Sequence, residues 1–159
     1  MGLGSWHPAV VTQEASGRPP SITDYPVHTR DKIRYGDTDR QGHVNNAIFA
    51  SFLETGRVEV LLRPESPMTD DGCAFVIARL SLDFKAELKW PGEVIIGTRV
   101  ARIGRSSIGL EQSIFQDEVW AASAETVIVQ VEGESGRSSA LSQATILRLK
   151  ALLGPGDGA

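Results

Sequence analysis

Two aspartates, a histidine and two asparagines stand close together in residues 35–57, which read YGDTDRQGHVNNAIFASFLETGR. A carboxylate can serve as a general base or as a nucleophile, and a histidine can donate or accept a proton. The unpaired N–H groups at the start of a helix can stabilise negative charge on a carbonyl oxygen. This stretch therefore predicts either a catalytic loop that leads into a helix or a turn that only caps one.

A metal site is a second hypothesis for this stretch, because Asp37, Asp39 and His43 are all ligand types. A calcium loop of the EF-hand kind would need further oxygen ligands and a glutamate at its twelfth position, which are missing here. We therefore expect no metal and no cofactor. Asp37 is interpreted as a structural carboxylate of the turn, the alternative being that its charge tunes Asp39.

A strand and a helix are predicted on either side of the loop. Residues 27–35 alternate between charged side chains and others, which predicts a strand with one solvated face. After the loop, apolar residues recur at three- and four-residue spacing up to Pro64, which predicts a helix with one buried stripe. On this helix Glu54 and Arg57 are three residues apart, which indicates a side-chain pair or a buried structural carboxylate rather than catalysis.

Four strands and a short helix are predicted in the second half. The strands are residues 74–84, 93–103, 106–115 and 118–131, joined as an antiparallel meander, with a hairpin-like bend at Trp90 to Gly92. In the first of them, one apolar face is expected to hold Val76, Ala78, Leu80, Leu82 and Phe84. The final helix falls within residues 139–154. One helix on one antiparallel sheet is an α+β domain, and it leaves apolar sheet surface that favours a dimer.

Composition limits the classes of function. The 159 residues suit one domain, and we place it at 25–154 after an extension, residues 1–24, that has no periodicity and is expected to be flexible. A net charge of -4 argues against nucleic-acid binding, which needs a clustered basic face. A single cysteine, with no signal peptide and no membrane-spanning run, leads us to expect a cytoplasmic protein that does not insert into membranes.

The motif YGDTDRQGHVNNAIFASFLETGR, followed by LDFKAELKWPGEVIIGTRVARIGRSSIGLEQSIF, resembles the hotdog-fold thioesterases of the 4-hydroxybenzoyl-CoA thioesterase type. The resemblance covers about residues 27–133. It implies a long curved antiparallel sheet wrapped around a central helix. It also implies a homodimer or homotetramer, in which two subunits form one continuous sheet and a thioester site lies at their interface.

The resemblance assigns a role to Asp39, and position suggests roles for the residues that follow it. It implies that Asp39 is the nucleophile or the general base. His43 can hydrogen-bond the thioester oxygen or orient a water, and the backbone N–H of Asn46 is the candidate oxyanion donor. The side chains of Asn45 and Asn46 can cap the helix or hold the attacking water.

Arg105 and Ser106 lie in the region where relatives place basic residues near the coenzyme A phosphates. Arginine suits phosphate because its planar fork can donate two hydrogen bonds at once. The alternative is that Arg105 is an ordinary exposed arginine of a turn.

Three functions are compatible with the sequence and with the family that it resembles. The first is hydrolysis of an acyl-CoA to the free acid and coenzyme A. The second is hydrolysis of an acyl group carried on acyl carrier protein, which the net charge disfavours because that carrier is acidic. The third is a non-catalytic protein that binds acyl-CoA, which would have no need of a carboxylate at Asp39. The acyl group itself is not specified by the sequence.

Overall fold

The computed structural model describes residues 18–154, which form one antiparallel sheet and two helices. In chain order the elements are β1 (Val27–Ile33), α1 (Asn46–Leu61), β2 (Cys73–Phe84), β3 (Gly92–Ile103), β4 (Ser107–Gln116), β5 (Val119–Glu132) and α2 (Gln143–Lys150). The strand order in the sheet is β1-β3-β4-β5-β2. The predicted α+β architecture of the hotdog type, with one long helix on one sheet, is confirmed.

Helix α1 packs against β1, β3 and β4. Its buried stripe contains Phe49, Phe52 and Leu53, which lie in one core with residues of the sheet such as Ile96. Gly56 allows this close approach, because a Cβ atom there would lie 2.7 Å from Gln112 Nε2. The predicted helix and its apolar face are therefore confirmed, and the helix leaves much of the inner face of β2 exposed.

The predicted bend that joins β2 to β3 as a hairpin is wrong. Strand β2 pairs with β5 at the opposite side of the sheet from β1. Residues 85–91 instead pass the start of α1, where the Val44 N–H donates to the Leu88 carbonyl at 2.9 Å. The predicted meander is found only for β3, β4 and β5. Short connections join these three strands, so each pairs with the next one in the chain.

The predicted apolar face of β2 is also partly wrong, because the strand contains a bulge between Ile77 and Arg79. The extra residue, Ala78, shifts the alternation of side chains by one position. Cross-strand pairing with β5 then places five apolar residues on the inner face, the side of the sheet that carries α1: Phe75, Ile77, Leu80, Leu82 and Phe84. We call this set the β2 strip. Three of its members are at least 38% exposed, namely Ile77, Leu80 and Phe84.

The segment before β1 packs on the outer face of the sheet. The ring of Tyr25 lies over Gly97, and its hydroxyl is 2.6 Å from Ser113 Oγ. Residues 22–24 form a single 3-10 turn that contacts β3, so the packed chain begins before the boundary at residue 25. Residues 1–17, with most of the predicted flexible extension, lie outside the described residues. Within 18–154, neither helix has the length and apolarity needed to cross a bilayer.

Candidate active site

The loop of residues 39–43 is closed on itself and fixes the carboxylate of Asp39. The Asp39 N–H donates to the His43 carbonyl at 2.8 Å, and Gly42 adopts a φ of 80°, which glycine tolerates. Oδ1 of Asp39 accepts from the N–H of Gln41 at 2.8 Å and from that of His43 at 3.3 Å. No described residue bonds the other oxygen, Oδ2, of this exposed side chain. One oxygen orients the group, and the other is free to react.

The start of α1 lies immediately after this loop. Asn45 is the N-cap residue, since its Oδ1 accepts from the Ala47 N–H at 3.0 Å. Its carbonyl accepts from the Ile48 N–H at 2.9 Å. Of the two roles open for the Asn45 side chain, the structure shows the cap. No described acceptor bonds the N–H of Asn46, which is therefore free to bind a ligand oxygen.

Asp39, His43 and Asn46 line one open cavity of about 530 Å³. Its apolar walls include Phe49 and Phe84, whose rings meet edge to face at 5.0 Å. The three residues predicted as catalytic are thus brought together at one end of the groove between α1 and β2. The cavity offers a carboxylate, an imidazole and a helix N-terminus to the same ligand.

Glu87 also lines the cavity, although no pattern in the sequence pointed to it. Its Oε2 lies 3.1 Å from Nε2 of His43. The pairing arises because residues 85–91 pass the helix start, where His43 and Lys89 form an isolated β-bridge. Glu87 therefore lies beside the imidazole at the cavity wall, although the two residues are far apart in the chain.

Asp37 has a structural role, as interpreted from the sequence. Its carboxylate is buried and accepts from the Arg34 N–H at 2.8 Å, and the Arg34 guanidinium lies 3.2 Å away. Its carbonyl accepts from the Asn45 N–H at 2.8 Å. These hydrogen bonds stabilise the turn that precedes and positions Asp39. Within residues 18–154, no group of three or more histidine, cysteine or acidic side chains is arranged to hold a metal ion.

The structure does not bring Arg105 and Ser106 to Asp39 within one chain. Both lie in the β3–β4 turn, where the Ser106 carbonyl accepts from Gln130 N–H at 2.8 Å. Gln130 pairs with Phe75 on β2, whereas the cavity lies at Phe84, the other end of that strand. Nine residues of strand span roughly 30 Å.

Neither the predicted pair of Glu54 with Arg57 nor the alternative, a buried carboxylate at Glu54, is found in residues 18–154. Glu54 is exposed, whereas Arg57 is buried at 6% exposure, and its Nη1 donates instead to Gln112 Oε1 at 3.4 Å. Burial lowers the pKa of Arg57, and the charge of Glu54 offsets only part of that change. A buried arginine could not be told from an exposed one by its spacing on the helix.

Comparisons with known proteins show what the chain and its fold resemble. The PA5185 protein of Pseudomonas aeruginosa is 29% identical, with a TM-score of 0.76 over 86% of this chain and 97% of that one. A thioesterase of Thermus thermophilus, solved with coenzyme A and zinc, is 32% identical, with a TM-score of 0.71 over the same shares, 86% and 97%.

Among curated proteins, the chloroplastic acyl-acyl carrier protein thioesterase ATL2 of Arabidopsis thaliana is 31% identical over 88 residues, 54% of this chain. The match spans only about half of that relative, 47% of its length. The sequence model of the Thioesterase-like superfamily matches residues 33–149, which contain the motif, α1 and the whole of β2 to β5. The chain therefore belongs to the Thioesterase-like superfamily.

Proposed function

We propose that the protein hydrolyses the thioester bond of an acyl-CoA to a free acid and coenzyme A, with Asp39 as the reacting carboxylate. The observation that carries this proposal is the shared cavity of Asp39 and the free N–H of Asn46. Membership of a thioesterase superfamily supports the reaction class. The coenzyme A in the Thermus thermophilus relative supports this carrier.

Two routes are consistent with the cavity. In the first, Asp39 Oδ2 attacks the thioester carbon, the C–S bond breaks, and the thiolate leaves with a proton from water. Water then hydrolyses the mixed anhydride and restores the carboxylate. In the second, Asp39 takes a proton from a water that attacks the same carbon, and the proton passes to the departing thiolate.

In either route the carbonyl oxygen gains negative charge. The N–H of Asn46, at the positive end of α1, is placed to stabilise that charge. The His43 imidazole, beside Glu87 in the same cavity, could hydrogen-bond the same oxygen or orient the water. Asn45 contributes through the helix cap, which fixes the first turn of α1.

A homodimer would complete this site. Strand β2 lies at one edge of the sheet and exposes the apolar β2 strip, and an uncovered apolar edge favours pairing with a second copy. Antiparallel pairing along β2 would place the β3–β4 turn of one copy, with Arg105 and Ser106, near the Asp39 cavity of the other. Arg105 and Asp39, which are far apart within one chain, would then meet across the interface between two copies. We expect Arg105→Ala to raise KM for acyl-CoA with little change in kcat, because a remote phosphate contact acts alike on ground and transition states.

Acyl carrier protein is the second candidate carrier, favoured by the Arabidopsis thaliana relative. One feature of the structure fits it: the outer side of β1 exposes His28, Arg30, Lys32 and Arg34 in a row. Such a row could bind an acidic carrier even though the whole chain is acidic. Two of these arginines are already paired, Arg30 with Glu93 and Arg34 with Asp37, which reduces the free charge. Acyl-CoA therefore remains the first candidate.

The deciding experiment measures thiol release from a panel of aliphatic and aromatic acyl-CoAs and from the same acyl groups on acyl carrier protein. We expect turnover of at least one acyl-CoA, and a higher kcat/KM on coenzyme A than on the carrier protein for the same acyl group. Faster turnover of the substrate on acyl carrier protein would instead make acyl carrier protein the preferred carrier. Tight binding of acyl-CoA with no thiol release would make the protein a binding module instead.

A further inference from the structure

Arg57 is a buried charged side chain that the proposed reaction does not use. It lies eleven positions after Asn46 on α1, roughly 16 Å along the helix axis. It lines a second cavity of about 330 Å³ between α1 and the far end of β2. The other lining residues are mainly apolar, and they include Phe75 and Ile77 of the β2 strip.

The two cavities lie at opposite ends of the β2 strip. Phe84 of the β2 strip lines the cavity of Asp39, and Phe75 and Ile77 line that of Arg57. The strip runs between them on the inner face of the sheet, beside a helix that packs on other strands. The separation of Asn46 and Arg57 along α1, about 16 Å, is close to the length of an extended alkyl chain of roughly a dozen carbons. The groove can therefore hold an acyl chain whose thioester is at Asp39 and whose end is at Arg57.

Hydrogen bonding leaves Arg57 unsatisfied. A guanidinium has five N–H donors. Within residues 18–154, the bond from Nη1 to Gln112 Oε1 is the only one that Arg57 makes. The Arg57 nitrogens that lack an acceptor are not fully buried, so they are accessible from the cavity. A buried charge with one weak bond is costly unless a partner arrives.

Gln112 fixes the position of the guanidinium. Its Nε2 donates to the Leu53 carbonyl at 3.0 Å and to Thr98 Oγ1 at 3.1 Å, which turns its Oε1 towards Arg57. A second polar group on this face also lacks a partner: the buried Thr126 hydroxyl, two residues before Ile128 on β5. The end of the groove is thus apolar in its walls but has an oriented cation at its floor.

We infer that the protein selects acyl thioesters with a carboxylate at the far end of the chain, which Arg57 binds. This inference rests on the proposed function, because it assigns the substrate class of the same site. A terminal carboxylate can accept two parallel hydrogen bonds from the guanidinium and neutralise its charge. A plain alkyl end would leave that charge buried and unpaired.

A second copy of the chain is the other possible source of a carboxylate. The rim of the cavity is formed by three exposed residues, Glu54 and Val58 of α1 and Leu62 just after it, and Arg57 lies below them against the sheet. A side chain of the second copy would contact the rim before it could reach Arg57. An alkyl chain that enters along the β2 strip is thin enough to pass beneath the rim and reach Arg57. The geometry favours the substrate.

The test compares dodecanoyl-CoA with dodecanedioyl-CoA, which differ only in the terminal carboxylate. We expect kcat/KM of the wild-type protein to be at least about tenfold higher for dodecanedioyl-CoA, the factor expected of one charge-assisted hydrogen bond. Arg57→Met should remove the preference, mainly by slowing dodecanedioyl-CoA. Arg63→Met is the matched control, because Arg63 is exposed and pairs with Glu59 outside the groove, and it should keep the preference.

Each contrary result has a distinct meaning. Equal kcat/KM on the two substrates in the wild-type protein would overturn the inference without touching the proposed function. An equal loss on both substrates in Arg57→Met, together with dissociation of the dimer in sedimentation, would assign Arg57 to contacts with the second copy and also overturn it. If neither substrate is cleaved, calorimetry with dodecanedioic and dodecanoic acid still decides: Arg57-dependent preference for the diacid upholds the inference, and equal or no binding sinks it.

Discussion

The imidazole of His43 and the carboxylate of Glu87 lie 3.1 Å apart at the wall of the Asp39 cavity. The two residues come from segments that pair only because residues 85–91 pass the start of α1. Glu87 lies outside the motif, and we expect its carboxylate to orient the imidazole.

Glu87 is expected to act as a positioning residue for His43. Glu87→Ala should lower kcat/KM for acyl-CoA by about tenfold, the loss expected when one oriented hydrogen-bonding group is released. Glu87→Gln keeps an oxygen that can accept from the ring and should stay within a few-fold of wild type. Steady-state kinetics of both variants would check this. Wild-type kinetics in Glu87→Ala would remove the residue from the site, and equal losses in both would show that its charge matters instead.

The β2 edge is expected to carry the dimer contact. Leu80 lies in the β2 strip at 38% exposure, and a glutamate there would place a charge where a second copy should pack. Leu80→Glu should sediment as a monomer, and sedimentation is the deciding measurement because the same strip would also contact an acyl chain. Leu147→Glu is the control, because Leu147 is 66% exposed on α2, away from that edge, and should leave the assembly unchanged. A wild-type protein that is monomeric and fully active would contradict the shared site.

Local patterns in the sequence predicted most of the fold and the centre of the site. The alternation in residues 27–33 and the apolar stripe of α1 are properties of single segments, and both are found where expected. The loop of Asp39 and the cap at Asn45 are likewise closed by bonds between near neighbours. Such features depend on short-range geometry, which sequence spacing records.

Features set by contacts distant in the chain were not predictable. The bulge at Ala78 exists because β2 must match the register of β5, and it reversed the expected face of Val76. Glu87 meets His43 only through the course of residues 85–91. Arg57 is buried because α1 packs on the sheet and brings its side chain to Gln112 of β4. No spacing within a single segment carries that information.

Asp70 is expected to make stability depend on pH. Its carboxylate accepts from the N–H and hydroxyl of Ser142, the N-cap of α2, and also from Gln130 and Thr145. Burial acts to raise the pKa of Asp70, but these hydrogen bonds outweigh it and lower the pKa from 3.8 to about 2. A depressed pKa stabilises the fold above pH 3.8, and that stabilisation is lost as the pH falls towards 2.

Urea unfolding of wild type and Asp70→Asn between pH 2 and 7 measures this dependence. The variant should be less stable at pH 7, and the difference should shrink as the pH falls through about 3.8 towards 2. Asp71→Asn is a suitable control, because Asp71 is exposed and adjacent in sequence. A difference between Asp70→Asn and wild type that stays constant down to pH 2 would show that the carboxylate charge does not stabilise α2.

Asp39 is expected to carry the chemistry. Asp39→Asn retains an oxygen that can accept from the N–H groups of Gln41 and His43, so the loop and the dimer should survive. The amide has almost no basicity, and kcat should fall by about 10²–10⁴-fold, the range for a lost general base. KM should change little, because binding depends on contacts along the acyl chain and the coenzyme. Circular dichroism and sedimentation control for folding, and Asp71→Asn controls for the loss of one negative charge. If Asp39 only shaped the turn, the folded amide variant would turn over its best acyl-CoA at the wild-type rate, and the proposed mechanism would have to be abandoned.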